Sequence, residues 1–158
     1  MSLTTEIATI VNTKFPDATY LLSSWMKANR KSFDFDTMTL AEPLIVLNNE
    51  LTKDKEIQQN VNVLANTKIN MLFLVKGSVY STDVEMNTAI EALELMADQV
   101  FNNIYQLSQT RLKGSELLSY KITPKFKIWN SVLVGVEAEG RFKENQVINF
   151  CTTAPEEE

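Results

Sequence analysis

The sequence predicts an α+β fold, in which an antiparallel or mixed sheet of four to five strands carries one long helix and an N-terminal helix on one face. Three observations predict this fold class. A long amphipathic stripe follows Thr82, two apolar strand-like runs precede it at 44–47 and 61–75, and two alternating segments follow it between 117 and 141. So long an apolar stripe needs an apolar surface to cover, and the predicted sheet is the only one large enough.

The two predicted helices are marked by apolar spacing and by their end signals. Apolar residues at helical spacing, closed by Phe15 and Pro16, predict an N-terminal helix over about residues 3–14. Thr82 and Glu85 form a capping-box pattern at the start of the second helix. Apolar residues then recur every three or four positions for about six turns, and the helix is expected to end before Gly114.

Two strands are predicted before the long helix. The continuous apolar run from Leu44 to Leu47 is typical of a strand buried on both faces. Between Val61 and Val75 the apolar residues first alternate with polar ones and then become continuous. This change predicts a strand that starts at an exposed rim and runs into the covered middle of the sheet.

Two segments lack a clear period. The polar stretch from Glu50 to Asn60 predicts a solvated loop of the kind that often contacts partners. Residues 17–42 allow two interpretations, because 20–26 suits a second helix whereas 33–36 alternates like a strand or loop.

A long antiparallel hairpin is predicted at the C-terminal side. Leu118, Tyr120 and Ile122 alternate with polar residues, and Pro124 requires an edge strand or a bulge because it cannot donate to the ladder. A turn at 129–131 then leads into a returning strand with alternating valines.

Composition and charge limit the classes of function. The 15 Lys and Arg residues are spread along the chain against 20 Asp and Glu, a net charge of -5, which argues against a dedicated nucleic-acid surface. Cys151 has no partner for a disulfide within the chain, which favours a reducing compartment. We expect neither secretion nor membrane insertion. Residues 1–153 are expected to form one domain and residues 154–158 an acidic tail.

No complete catalytic or metal-binding pattern is present in the sequence. The chain has no histidine, which removes the commonest general base and zinc ligand, and its four glycines are too dispersed to cradle a phosphate. We therefore predict no catalytic residue, no metal site and no cofactor. The function is expected to lie in assembly with other proteins.

Several local patterns allow a chemical interpretation beside a structural one. Asp34 and Asp36 could begin a cation loop or, with glutamates brought near by folding, a carboxylate-based hydrolase, but the glycine and distal glutamate of a calcium loop are missing. Cys151 is expected to be an idle or buried thiol. The stretch 121–127 suits single-stranded nucleic acid or a lysine-guarded sheet edge, and the acidic balance favours the edge. Met71, Met86 and Met96 fall within apolar patterns, which favours core packing.

The order of the predicted elements resembles that of the tail-terminator and tail-completion (head-tail joining) proteins of tailed bacteriophages. In that family an N-terminal helix precedes a strand pair, a helix crosses the sheet, and a long C-terminal hairpin completes a small α+β domain. The closest local likeness is the segment from Trp129 to Glu139, which resembles the final tryptophan, small-polar and alternating-apolar strand of lambda-like terminators. This chain differs from smaller members by a longer 50–60 loop, a longer central helix and added residues after Arg141.

The resemblance implies a structural virion protein at the phage neck. It would form a hexameric ring, with a dodecamer as the alternative, that joins the portal connector to the tail or terminates the tail tube after assembly in the host cytoplasm. Rings need heterologous contacts between two different patches. The expected contact residues are Trp25, the loop residues Lys53, Asp54, Lys55 and Glu56, and the hairpin-tip residues Trp129, Asn130 and Ser131. DNA would pass through an acidic bore without specific binding.

A second interpretation is a cytosolic adaptor without enzymatic activity. Such a protein would use the exposed 53–59 loop and the aromatic surface of Trp25 or Trp129 without forming a ring.

Overall fold

The computed structural model describes residues 3–24, 43–58, 62–76, 82–110, 115–125 and 133–147. Within them the chain forms two helices and one six-stranded mixed sheet, which confirms the predicted α+β class. In chain order the elements are α1 (Leu3–Lys14), β1 (Thr19–Ser23), β2 (Leu44–Asn48), β3 (Thr52–Gln58), β4 (Asn62–Lys76), α2 (Asp83–Thr110), β5 (Ser115–Lys125) and β6 (Leu133–Val147).

The long strands β4 and β6 form the centre of the sheet. They pair antiparallel over 15 positions, from Asn62 opposite Val147 to Lys76 opposite Leu133. β5 pairs antiparallel with the far side of β6. On the other side of β4, β2 pairs with its C-terminal part and β3 with its N-terminal part, and β1 lies beyond β2 in parallel. Among the described elements, β3 and β5 are therefore margins on opposite sides of the sheet.

One face of the sheet, called here the helix face, carries both helices. Its inward side chains form the main core, in which Phe73 of β4, Phe101 of α2 and Phe142 of β6 are the largest fully buried residues. α1 contributes Ile7 and Val11, both fully buried, as the apolar spacing of the N-terminal segment predicts. α2 crosses the sheet above β4, β5 and β6.

The opposite face of the sheet has two different halves. One half holds a smaller buried apolar cluster, which neither described helix joins: Leu44, Val46, Leu72, Leu74 and Leu133. The other half is polar, and charged side chains such as Lys68 and Arg141 lie exposed there. Period-two alternation along β4 and β6 separates these residues from the core on the helix face.

The sheet has six strands rather than the predicted four to five. One addition is β1, so the helical interpretation is wrong for Thr19–Ser23. Three consecutive apolar residues are too few to separate helix from strand by period, and the parallel register of Tyr20 beside Ile45 decides for the strand. The remainder of the ambiguous segment, 25–42, lies outside the described residues.

The second addition corrects the predicted solvated loop at 50–60. Thr52–Gln58 forms β3, which pairs antiparallel with Asn62–Lys68 of β4. The segment shows no apolar period because residues 52–57 are exposed on both faces of the sheet. The expectation of solvent exposure was right, and the expectation of irregular backbone was wrong.

The predictions for β2, α2, the three methionines and the Pro124 strand agree with the structure, whereas the predicted turn at 129–131 lies outside the described residues. β2 is buried along its whole length, and α2 runs for 28 residues behind a cap in which the Glu85 amide donates to Thr82 Oγ1 at 3.1 Å. Met71 is fully buried in the core, and Met86 and Met96 pack against it. Of the two alternatives for Pro124, an edge strand or a bulge, the edge is confirmed among the described strands, in which β5 comes last in the sheet.

Several residues named from the sequence lie outside the described residues. They are Trp25, Asp34, Asp36, Trp129, Asn130, Ser131, Cys151 and the acidic tail at 154–158.

Candidate assembly interface

The four contact residues predicted in the 50–60 segment, Lys53 to Glu56, lie in a row on β3. Because side chains alternate across a strand, Lys53 and Lys55 lie on the helix face, beside Thr67 and Ala65 of β4. Asp54 and Glu56 lie on the opposite face. The pleat of the strand therefore sorts the Lys-Asp-Lys-Glu sequence into a basic face and an acidic face.

The end of β3 adds an apolar residue to this charged margin. Ile57 is 72% exposed on the helix face, beyond Lys53 and Lys55. An exposed isoleucine on an exposed sheet margin is a feature that proteins usually avoid, because it invites pairing with another chain. The margin thus carries both the charges and the apolar residue that a partner strand would contact.

The opposite margin, β5, is built differently because α2 packs along it. A groove of ≈ 340 Å³ runs between them, lined by Phe101 and Leu117 and by the more exposed Tyr105, Leu118 and Tyr120. Leu118 is 47% exposed because the register with β6 shifts between Leu117 and Ser119. At this bulge Leu117 turns into the core and Leu118 turns out to solvent.

Tyr120 fixes the β5 margin to α2. Its ring stacks on Phe101, with centroids 4.9 Å apart and planes inclined by 9°, and its hydroxyl donates to Asp98 Oδ1 at 2.8 Å. Partial burial, the hydrogen bond and the negative charge of Asp98 all raise the pKa of the Tyr120 hydroxyl. The tyrosine stays protonated as a donor, and the residue remains 40% exposed.

Gly140 leaves room for the Phe101 ring to lie above the sheet. It lies opposite Tyr120 in the β5–β6 register and is buried. A Cβ atom at this position would collide with the Phe101 ring. The absence of a side chain on β6 therefore allows Phe101 to lie over the backbone while it stacks on Tyr120.

The polar half of the opposite face is a mixed-charge surface. Lys68 pairs with Glu139 at 3.4 Å, and Lys125 pairs with Glu137 at 3.5 Å. A shallow depression of ≈ 480 Å³ extends from Asp54 on β3 across to β5. Both ion pairs are substantially exposed, so they contribute little to stability.

The third margin, β1, carries a buried hydroxyl. Tyr20 packs against the main core, and its Oη atom has no hydrogen-bond partner among the described residues. Burial raises the pKa of Tyr20 from 10.0 to about 12. A hydroxyl buried without a partner loses its bonds to water and destabilises the fold.

The sequence located only part of this surface. It named the residues of β3, but it did not single out Tyr105 and Leu118 as surface residues. An apolar residue at 118 in an alternating run indicated an inward side chain, and only the bulge reverses it. The signal that could have identified β3 is the alternation of charge sign along 53–56, which has the period of a strand.

No ligand-binding chemistry emerges from the arrangement of these residues. Within the described ranges, no group of three or more His, Cys, Asp or Glu side chains could hold a metal ion. The helices of that part of the chain are too short or too polar to cross a membrane. Comparison with protein-family models gave no match, and a search of curated proteins likewise found no similar protein.

Proposed function

We propose that this protein is a structural subunit that works by assembling with copies of itself and with other proteins. In its specific form, the proposal is a ring at the neck of a tailed bacteriophage, which joins the portal connector to the tail or terminates the tail tube. The observation that carries it is the pair of exposed margins, β3 and β5, on opposite sides of one sheet.

Two opposite margins favour assembly into a ring over assembly into a simple dimer. A head-to-tail contact uses two different patches of each subunit, and it closes into a ring when the rotation between subunits divides a full turn. The order of the described elements supports the phage role in part, because an N-terminal helix, a group of strands, a long helix and two long antiparallel strands follow one another, although four strands rather than a pair lie between the two helices. The proposed location is the virion, with DNA passing through the bore without specific binding.

The adaptor interpretation remains the second candidate function, and the groove between α2 and β5 favours it. Tyr105 and Tyr120 lie exposed beside an apolar floor of Phe101 and Leu117. Tyrosines at the rim of an apolar groove are common in surfaces that bind peptides or protein loops. Such an adaptor would bind its partner as a monomer.

Native mass spectrometry of the purified chain over a range of concentrations separates the two candidates. A ring subunit gives one defined species larger than a dimer, and electron microscopy of that species shows a closed ring. Purified portal and tail-tube proteins are then added to test the neck role, which requires a stable complex with at least one of them. A strictly monomeric chain, with and without these proteins, would overturn the proposal.

A further inference from the structure

The directions of the two margin strands determine how a second copy can extend the sheet. β4 runs antiparallel to both β3 and β6, and β6 runs antiparallel to β5. β3 and β5 therefore run in opposite directions. If a second copy is placed beside the first with its helix face on the same side, β5 of one copy meets β3 of the next in antiparallel orientation, which is the more stable kind of pairing.

The charges on the opposite face complement each other in this arrangement. β3 presents Asp54 and Glu56 there, and both side chains are exposed. β5 presents Lys121 and Lys125 on the same face. Acidic side chains on one margin would thus lie beside basic side chains on the other, and cross-strand pairs of opposite charge are favourable.

On the helix face the signs of the charges are reversed, because β3 is basic there and the flank of α2 above β5 is acidic. There β3 presents Lys53 and Lys55, and β5 lies beneath the flank of α2 that carries Asp98. Glu94 lies one turn before Asp98 on the same flank and is exposed. Basic residues of β3 would therefore approach the acidic flank of α2. The two faces carry opposite charge patterns, and both patterns match.

We propose that β3 of one copy pairs antiparallel with β5 of a second copy, with Glu56 opposite Lys121 and Ile57 opposite Tyr120. This inference rests on the proposed function and identifies the surface through which the ring assembles. The register places the exposed Ile57 on the exposed ring of Tyr120, and it places Asp54 opposite Thr123, diagonal to both lysines of β5.

Antiparallel pairing of two identical margins is much less favourable. With both helix faces on the same side, two β3 margins would bring Asp54 and Glu56 beside their own copies, and two β5 margins would do the same with Lys121 and Lys125. Like charges on opposed strands are destabilising. The charge pattern therefore selects the head-to-tail contact.

Features of β5 restrict the length of the pairing. Pro124 has no amide hydrogen to donate, and the bulge at Leu118 interrupts the regular strand. In the proposed register the regular part, from Ser119 to Thr123, lies opposite Gln58 to Asp54 of β3. Limits at both ends help to determine the register and prevent slippage along the margin.

Disulfide cross-linking tests the register. The variant Asp54→Cys/Thr123→Cys, in a Cys151→Ser background, places two thiols opposite each other across the proposed contact. Within one subunit β4 and β6 lie between these two strands, so the two positions are at least about 14 Å apart, three strand spacings, which is too far for a disulfide. Oxidation is expected to give a covalent ladder beyond the dimer on a non-reducing gel, whereas each single-cysteine variant gives dimers at most.

A charge exchange tests the chemistry of the contact. Glu56→Lys and Lys121→Glu are each expected to raise the dissociation constant of the oligomer by at least about tenfold, and the double exchange is expected to restore it. Lys14→Glu is the matched control, because it changes an exposed lysine at the end of α1 by the same charge and leaves both margins intact. All variants are compared by native mass spectrometry.

The outcomes separate the two proposals. If the unaltered chain forms its oligomer, but the cysteine pair yields no ladder and the charge variants assemble normally, the β3–β5 contact is wrong and the assembly function stands. Dimers with a single-cysteine variant at a yield equal to the double variant would indicate a twofold contact and would also overturn it. If the unaltered chain is a monomer at every concentration and the double-cysteine variant gives no ladder, both proposals fail.

Discussion

The two margins β3 and β5 differ in how they are attached to the rest of the molecule. β5 is held from above, because the Tyr120 ring stacks on Phe101 and its hydroxyl bonds Asp98. β3 pairs only with β4 among the described strands, and its residues 52–57 are exposed on both faces. The difference teaches that one margin is part of the core and the other is available for contacts without cost to the fold. Substitutions at the β5 margin should therefore change stability more than substitutions at the β3 margin.

The largest expected loss of stability is at the β5 side. Phe101→Ala removes a fully buried ring that supports Tyr120, and we expect the free energy of unfolding to fall by about 3–5 kcal/mol. Urea denaturation measures it. A loss below about 1 kcal/mol would show that α2 does not anchor the β5 margin.

A smaller loss of stability is expected when a methyl group is placed in the space that the Phe101 ring occupies above Gly140. Gly140→Ala forces the new methyl group into the Phe101 ring, and overpacking of this kind costs about 1–3 kcal/mol. In the Phe101→Leu background the same substitution should cost less, since no aromatic ring occupies the space. Additive effects in this double-mutant cycle would contradict the proposed contact.

At the β1 margin a substitution is expected to raise stability rather than lower it. Tyr20→Phe removes a buried hydroxyl that has no hydrogen-bond partner in the described part of the chain, so we expect stability at neutral pH to rise by about 1 kcal/mol. Because the pKa of Tyr20 is raised from 10.0 to about 12, its protonated form is favoured in the folded state. The stability that this preference contributes is complete below pH 10 and is lost as pH rises towards 12.

The alkaline loss of stability should therefore be smaller in the Tyr20→Phe variant. A shift of two units corresponds to about 2.7 kcal/mol, and the partial exposure of the side chain reduces the expected difference to about 1 kcal/mol. Denaturation curves of both proteins between pH 9 and pH 12 measure it. Equal pH dependence in the two proteins would mean that the hydroxyl is solvated.

The smallest effect on stability is expected on β3. Ile57→Ala removes a side chain that is 72% exposed, so the free energy of unfolding should change by less than about 0.5 kcal/mol. The same variant should weaken the oligomer, since Ile57 meets Tyr120 in the proposed contact. Val84→Ala in the first turn of α2, a 75% exposed valine outside both margins, is the control and should leave both properties unchanged.

The sequence predicted the elements that bury apolar residues and missed those that do not. Leu44 to Leu47 and the stripe of α2 could be identified because burial imposes a composition and a period. β3 was missed because neither of its faces is buried, so only its pairing with Asn62–Lys68 makes it a strand. Pairing between two segments imposes no apolar period on either of them, so the alternating charge sign of residues 53–56 was the signal left to read.

The candidate interface was predictable only in part for the same reason. Its charged residues on β3 were named because a polar stretch favours contacts, although the sorting of charges between two faces required the strand. The exposure of Leu118 depends on a register shift, and the ring of Phe101 over Gly140 depends on contacts between residues far apart in the chain. Such features arise from tertiary structure and have no local pattern.

The long pairing of β4 with β6 has a consequence for the time course of folding. Asn62 must meet Val147 and Lys76 must meet Leu133, although α2 and β5 lie between them in the chain. Contacts between distant segments carry a large loop-closure entropy, so the central ladder can form only after much of the chain has been ordered or released from the ribosome. We expect refolding over milliseconds to seconds in a stopped-flow experiment, with α2 forming before the ladder. Until β6 arrives, the side of β4 that faces away from β2 and β3 is an unpaired strand edge, and during that interval the newly made chain is most prone to aggregate.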